Sequence, residues 1–388
     1  MAQLTEPSES IPEAKSRLDK LLDAAEMQTL CSLPAPCFTI FLPRYRPAAQ
    51  SAPETVPLKH LLRVAEESPE VHKLGETAAA LLAPLREIAK SGALGSGGEA
   101  RALFTAPGFA AAYRVGAELP EKLALGRHPY IRPLLAHAFA PHEVFALALS
   151  RKRLRLFRFL GEGTEERPLP PGVPASVAEA GDFDQPDHEL RNRSASGPST
   201  GTGFAVTFGT LSDRESAPEY LHNYFARVDR GLHAAVKNAP VFLLGVNEDL
   251  AAFRKASRHL NLLATQSEGS VDGHGIAEIG ALAGAAALAS YQAQGETALR
   301  EFRDMADRAR TLSGTSPVLA AAEEGRVHRL LLPEDGDIPA PQDSSSQNLL
   351  ASEDLLNAIA VEALRRSGQV FTLPTALLGA EPLAILRY

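Results

Sequence analysis

The segment from residue 143 to residue 160 constrains the fold of this chain more than any other. It reads EVFALALSRKRLRLFRFL. Its first half is continuously apolar, which is typical of a strand buried on both faces of a sheet. Its second half alternates, with Arg153 and Arg155 on one side and Leu154 and Leu156 on the other. The Ser-Arg-Lys between the halves indicates a turn, so the segment predicts a hairpin inside a covered sheet.

Helical and strand patterns follow this hairpin in a fixed order. Residues 219–238 carry apolar side chains on one stripe, as a helix does, and residues 239–246 (APVFLLGV) indicate a core strand. A second helix is predicted directly after that strand, so the sheet is expected to be covered by helices. Residues 161–217 lie in between and are rich in Gly, Pro, Ser and acidic residues, which predicts one long loop.

The regions on either side of residues 129–268 each predict a separate unit. Residues 36–43 (PCFTIFLP) indicate a buried strand in an N-terminal α+β unit. After residue 269, helices alternate with strands to the end of the chain, which favours an α/β/α sandwich. Since 388 residues suggest two or three domains, we expect an α/β protein with domains at 1–128, 129–268 and 269–388.

The charge distribution limits the partners of the chain. Its formal net charge of −8 argues against a protein that coats nucleic acid generally, and no DNA partner is expected. Residues 1–138 contain 15 basic and 15 acidic side chains, residues 139–268 contain 15 and 16, and residues 269–388 contain 9 and 16. A local basic surface for RNA is therefore expected before residue 269, and the acidic C-terminal region is a candidate for binding a protein partner.

The cysteines and the apolar runs indicate the compartment. Cys31 and Cys37 are too few for a disulfide scaffold and are expected to be free thiols in a reducing cytoplasm. No stretch of about 18 strongly apolar residues predicts a membrane span, and the N-terminus has no apolar signal region. We therefore expect a cytoplasmic protein with no membrane partner.

Motifs for catalysis or for cofactors are missing. Residues 197–204 (GPSTGTGF) lack the Gly-Lys-Ser/Thr of a phosphate-binding loop, and the acidic residues 182–189 match no calcium loop. No Gly-x-Ser-x-Gly elbow occurs either. We therefore predict no cofactor and no metal, and we assign no catalytic residue.

A dense basic run lies in the predicted hairpin. Its guanidinium and ammonium groups could contact RNA phosphates, or they could form a solvated sheet face that Glu162, Glu165 and Glu166 balance. The sequence leaves both interpretations open. The run consists of Arg151, Lys152, Arg153, Arg155 and Arg158.

Two late segments resemble a known family. Residues 320–335 (AAAEEGRVHRLLLPED) and 383–388 (LAILRY) are similar to the C-terminal domain of the class-1 peptide release factors of eukaryotes and archaea. With PCFTIFLP, HNYFARVDRGL and PVFLLGV, the order of the whole chain resembles the bacterial archaeo-eukaryotic release factor-like family. The resemblance implies an N-terminal α+β domain, a ribonuclease-H-like middle domain and a C-terminal α/β/α domain like kink-turn-binding ribosomal proteins.

The resemblance also implies a partner, the ribosome or structured RNA, but not the family's chemistry. Peptide release in that family depends on Gly-Gly-Gln in a loop of the middle domain. The matching residues 190–217 contain no Gly-Gly-Gln, and neither does the rest of the sequence. The loop retains Gly197, Gly201 and Gly203 and the bases Arg191 and Arg193.

We therefore expect a translation protein that binds the ribosome or RNA without releasing peptides. RNA binding is predicted to rest on Arg191 and Arg193 in the loop and on Arg151, Lys152, Arg153 and Arg155 in the hairpin. Two alternatives stay open at this stage. One is a hydrolase with unidentified loop residues, and the other is a scaffold that binds a protein.

Overall fold

The computed structural model describes most of the chain in two compact units. The first unit comprises Met1–Ala140 with Tyr291–Tyr388, and the middle unit comprises Pro141–Ser290. The described residues are 18–44, 55–91, 94, 99–116, 118–161, 163–181, 212–271, 273–305, 309–335 and 354–388.

These residues form both strands and helices. The strands are β1 Leu18–Leu21, β2 Cys37–Leu42, β3 Ala100–Ala106, β4 Phe109–Val115, β5 Lys122–Gly126, β6 Val144–Leu149, β7 Arg155–Phe159, β8 Thr164–Arg167, β9 Pro240–Gly245, β10 Asn261–Glu268, β11 Thr311–Ser313, β12 Val327–Pro333, β13 Gln369–Leu373 and β14 Leu383–Leu386. The helices are α1 Ala24–Cys31, α2 Thr55–Glu67, α3 Pro69–Lys73, α4 Glu76–Ser91, α5 Leu135–Phe139, α6 Val177–Gly181, α7 Ser212–Val236, α8 Asn247–Ala256, α9 Ile276–Asp304, α10 Thr315–Glu323, α11 Leu355–Arg365 and α12 Thr375–Leu378.

The sheet of the middle unit has the predicted ribonuclease-H-like topology. Its strand order is β10-β9-β6-β7-β8. β6, β7 and β8 form an antiparallel meander, whereas β9 pairs with β6, and β10 with β9, in parallel. In the ribonuclease-H-like topology, a meander of three antiparallel strands comes first. Two parallel strands then extend the sheet from the free side of the first meander strand, here β6. The hairpin predicted over residues 143–160 is therefore confirmed as β6 and β7.

The burial of β6 explains why its sequence is apolar throughout. All six of its residues are buried, as expected for a central strand. One face packs under α7 and α8 through Phe145 and Leu147. On the other face, α9 approaches β8 at Gly280, where an added Cβ would overlap the side chain of Thr164, and it approaches β7 at Gly284, beside Phe159. Helices therefore cover the sheet on both faces.

The prediction of one long loop over residues 161–217 is wrong in three places. The strand β8, the helix α6 and the first turns of α7 all lie within this range. β8 (TEER) carries no apolar pattern because it is an edge strand, and its glutamates pair with arginines of β7 rather than with a core. Residues 182–211 lie outside the described part.

The first unit joins both ends of the chain in one core. It contains the sheets β1-β4-β3-β2-β5 and β11-β14-β12-β13. Met27, Tyr113 and Ile131 from the N-terminal part belong to the same buried cluster as Leu330 and Ile359 from the C-terminal part. The predicted domain boundaries at residues 128 and 268 divide the chain differently and stay predictions.

A buried polar cluster fixes this junction. The side chain of Asn357, on α11, accepts hydrogen bonds from the backbone N–H of Ile131 (2.8 Å) and Arg132 (3.2 Å) and donates to the carbonyl of Pro129 (2.9 Å). The buried Arg132 guanidinium pairs with Asp354 at 3.0 Å. Asp354 also caps α11 by accepting from the backbone N–H of Leu356. The polar groups at this junction are thus paired rather than left as isolated buried charges.

Both cysteines are free and buried, and burial raises the pKa of Cys31 to about 12. Thiolate chemistry at neutral pH is therefore disfavoured at this residue. Among the described helices, none is long and apolar enough to cross a membrane.

Candidate nucleic-acid interface

The first predicted base of the hairpin, Arg151, lies where β6 ends and contacts the start of α8. Its Nε donates to Asp249 Oδ1 at 2.8 Å, and its Nη2 lies 3.2 Å from Glu248 Oε1. The hydrogen bond to Asp249 raises the pKa of the Arg151 guanidinium above its usual range. Asp249 is buried, and the ion pair with Arg151 compensates its charge.

Arg153 and Arg155 lie opposite an acidic residue of β8. Arg155 donates to both carboxylate oxygens of Glu166, at 2.9 and 2.8 Å, and its guanidinium lies 4.6 Å from the centre of the Phe157 ring. Arg153 reaches the same carboxylate at 3.5 Å. The hydrogen bond from Arg155 lowers the pKa of Glu166. This part of the run is thus balanced by glutamate, which was the alternative to RNA contact.

Lys152 differs from its neighbours. It is exposed in the turn between β6 and β7, and no ion pair to it is found within the described ranges. The Arg153 side chain is also exposed, with 68% of its surface accessible, whereas only 16% of the Arg155 side chain is accessible. Lys152 and Arg153 are therefore the hairpin bases most accessible to a phosphate. The RNA-binding role of the four residues stays a prediction.

The predicted loop bases Arg191 and Arg193 lie outside the described residues, as do Gly197, Gly201 and Gly203. The segment that contains them connects α6 to α7 along the chain.

Arg151 lies at the carboxyl ends of the parallel strands β6 and β9. The chain leaves these two strands towards opposite sides of the sheet, and such switch points are where open α/β sheets bind ligands. The Tyr224 hydroxyl is buried with no hydrogen-bond partner in the described part of the protein. Burial raises its pKa, and Glu179 and Asp249 raise it further. Tyr224 therefore keeps its proton and can donate a hydrogen bond.

Sequence reasoning missed Asp249 and Tyr224. A carboxylate in the first turn of a helix that follows a core strand could have indicated Asp249. Nothing in the helical stripe of residues 219–238 distinguishes Tyr224 from an ordinary core residue. Among the described residues, no group of three or more His, Cys, Asp or Glu is arranged to bind a metal ion.

A cavity of about 570 Å³ lies at the other end of these strands, beside the first residues of β6 and β9. Its charged lining includes Glu143, Arg158 and Lys237, beside apolar side chains from β6 and β9. Arg158 donates to Glu143 at 2.7 Å, so these two charges are paired. Arg158, the last base of the run, is thus also balanced by glutamate.

One family profile matches the middle of the chain. The sequence profile described as "Bacterial archaeo-eukaryotic release factor family 3" matches residues 145–326. This part of the chain is therefore similar to the release factor-like proteins that its motifs resemble. The group that it matches is family 3 of the bacterial archaeo-eukaryotic release factors. No curated protein matches the sequence.

Three solved structures illustrate how far the likeness extends. The archaeal translation termination factor aRF1 shares 12% identity over 96% of this chain and 100% of its own, with a TM-score of 0.24. Pelota of Archaeoglobus fulgidus shares 12% identity over 75% and 80%, with a TM-score of 0.34. A ribosome-bound archaeal Pelota, in a structure with ABCE1, shares 10% over 95% and 95%, with a TM-score of 0.35. Such scores support no functional transfer.

Proposed function

We propose that this protein is a release factor-like translation factor that binds the ribosome and does not hydrolyse peptidyl-tRNA. Two observations together support the proposal. Residues 145–326 match a release factor family, yet the sequence contains no Gly-Gly-Gln. A protein of this class without that motif lacks the glutamine expected to position water at the ester bond. Positioning of this kind contributes orders of magnitude to a rate, so its loss leaves binding without efficient chemistry.

Ribosome binding is proposed to use the accessible bases of the hairpin together with the loop bases. Lys152 and Arg153 lie at the tip of the β6–β7 hairpin, and both are exposed. Arg191 and Arg193 belong to the segment that corresponds to the release loop of the family. Exposed cations at a turn can approach RNA phosphates without disturbing the sheet, and each contact releases counterions from the RNA.

Co-sedimentation of the full chain with ribosomes at increasing KCl tests the proposal. The expected result is a bound fraction that falls steeply with salt, with log K decreasing linearly in log salt. The double variant Lys152→Glu/Arg153→Glu should bind more weakly, with a salt slope smaller by about two. The matched control is Lys59→Glu/Lys73→Glu, two exposed lysines of the first unit that should leave binding unchanged.

The two parts of the result are independent. Failure of the unaltered protein to sediment with ribosomes, even at low salt, would contradict the proposed function. Unchanged binding of the hairpin variant would instead show that Lys152 and Arg153 make no contact.

A further inference from the structure

A basic surface that the sequence did not predict lies where α7 and α8 end. Arg230 and His233 are three residues apart on α7, so they share one face of the helix. Lys237 directly follows the last residue of α7, and all three side chains are exposed. Arg258 and His259 follow the end of α8 and are exposed as well. We call these five residues the α7–α8 basic end.

Hydrogen bonds bring the helix and the loop together. The carboxylate of Asp229 accepts from the backbone N–H of Arg258 (2.9 Å), His259 (3.0 Å) and Leu260 (3.2 Å), and from the hydroxyl of Ser257. The rings of His233 and His259 lie 5.7 Å apart, centre to centre. These contacts place Arg258 and His259 beside the end of α7, where Arg230, His233 and Lys237 lie.

The α7–α8 basic end has no compensating acid in its own segments. Residues 230–247 and 250–267 contain no Asp or Glu. Asp229 is 1% exposed, and its charge is directed inward at the four donors named above. Glu143, which lines the same cavity as Lys237, is paired with Arg158. For Arg230, Lys237 and Arg258, the described part of the chain provides no ion pair.

We propose that the α7–α8 basic end binds the phosphate backbone of RNA, as a second contact distinct from the hairpin. This proposal rests on the proposed function in so far as the ribosome presents the RNA. Two guanidinium groups and one ammonium group offer donors for phosphate oxygens. The rings of His233 and His259 lie next to each other, and an unstacked RNA base can pack on them. An acidic protein partner has no such base, so the two rings favour RNA as the partner.

The test measures the affinity of the full chain for a fluorescent RNA hairpin at several salt concentrations. The variant Arg230→Glu/Arg258→Glu should lower affinity at least about tenfold and reduce the salt slope by about two. The neutral variant Arg230→Gln/Arg258→Gln should show an intermediate loss. Because it introduces no repulsion, it tests the contact even if charge reversal disturbs folding. The control Lys59→Glu/Lys73→Glu should bind like the unaltered protein.

Each outcome separates this proposal from the proposed function. Unchanged RNA affinity in both α7–α8 variants overturns the RNA site while leaving ribosome binding by the hairpin intact. Displacement of the RNA by poly-glutamate at equal charge concentration would also overturn it, since the surface would then bind acidic chains as well as phosphate. Loss of RNA affinity in these variants, with no ribosome binding by the unaltered protein, supports the RNA site and contradicts the proposed function.

Discussion

Replacing Asp229 by alanine is expected to lower the free energy of unfolding of the middle unit by about 3 kcal/mol. The magnitude follows from the four donors that would lose their acceptor. The Ser257 hydroxyl and the Leu260 N–H form buried bonds, and each buried donor left unpaired costs about 1–3 kcal/mol. The N–H groups of Arg258 and His259 are partly exposed and can bind water, so they add less.

The isosteric change Asp229→Asn separates charge from shape. The remaining amide oxygen can still accept the two bonds that Oδ1 accepts from Ser257 and Leu260. The amide nitrogen takes the place of Oδ2 and cannot accept from the N–H groups of Arg258 and His259. We expect about 2 kcal/mol of destabilisation, because hydrogen bonds to charged acceptors are stronger than neutral ones. Urea denaturation followed by circular dichroism gives both values.

The pH dependence of stability provides a second readout of Asp229. Burial raises the pKa of this carboxyl, but the hydrogen bonds from Ser257 and from the backbone of the following residues lower it, and the net pKa is lowered. The folded protein thus binds this proton less readily than the unfolded chain. The stabilisation is complete above the unfolded pKa of about 3.9 and is lost as the pH falls through the folded value. The Asn variant should lack this loss.

Hydrogen exchange locates the effect in the chain. The amides of Leu260 and His259 should exchange faster in Asp229→Ala, because the loop that carries them loses its acceptor. Unfolding free energies within 0.5 kcal/mol of the unaltered protein, together with unchanged exchange at these amides, would refute the reasoning.

Three further changes test other parts of the structure. Asn357→Ala should destabilise the first unit by about 2–4 kcal/mol, since three buried hydrogen bonds are lost, and thermal unfolding measures this. Gly280→Val should disrupt the packing of α9, because an added Cβ would overlap Thr164, and near-ultraviolet circular dichroism with proteolysis would report it; a native-like variant would contradict the close approach. Arg155→Met should cost about 1–3 kcal/mol, since it removes two hydrogen bonds to the charged Glu166 from a side chain that is exposed at only 16%. It should leave ribosome binding unchanged, because Arg155 is already paired; weaker sedimentation with ribosomes would show otherwise.

The fold was predictable wherever burial imposes a sequence pattern. The continuous apolar run of β6 and the alternation of β7 each indicated a strand, because a central strand and a half-covered strand demand those patterns. β8 gave no such signal, since its four residues TEER are stabilised by pairing to β7 at the sheet edge. A long loop was therefore predicted where an edge strand lies.

The candidate site was less predictable, because its contacts join residues far apart in sequence. The balance of Arg155 by Glu166 could be anticipated as one of two alternatives, since both residues lie within one meander. Asp229 could not be recognised as the organiser of a loop 28 to 31 residues away. No local pattern records such a contact, and only the packing of α7 against α8 creates it.

Sedimentation of ribosome complexes that carry labelled peptidyl-tRNA tests the central claim most directly. After incubation with saturating protein, the account predicts that the protein and the intact peptidyl-tRNA both appear in the ribosome pellet. A Gly-Gly-Gln-containing release factor, added in parallel, should move the peptide to the supernatant. Release of the peptide by this protein at rates well above background would contradict the account, and so would its absence from the pellet.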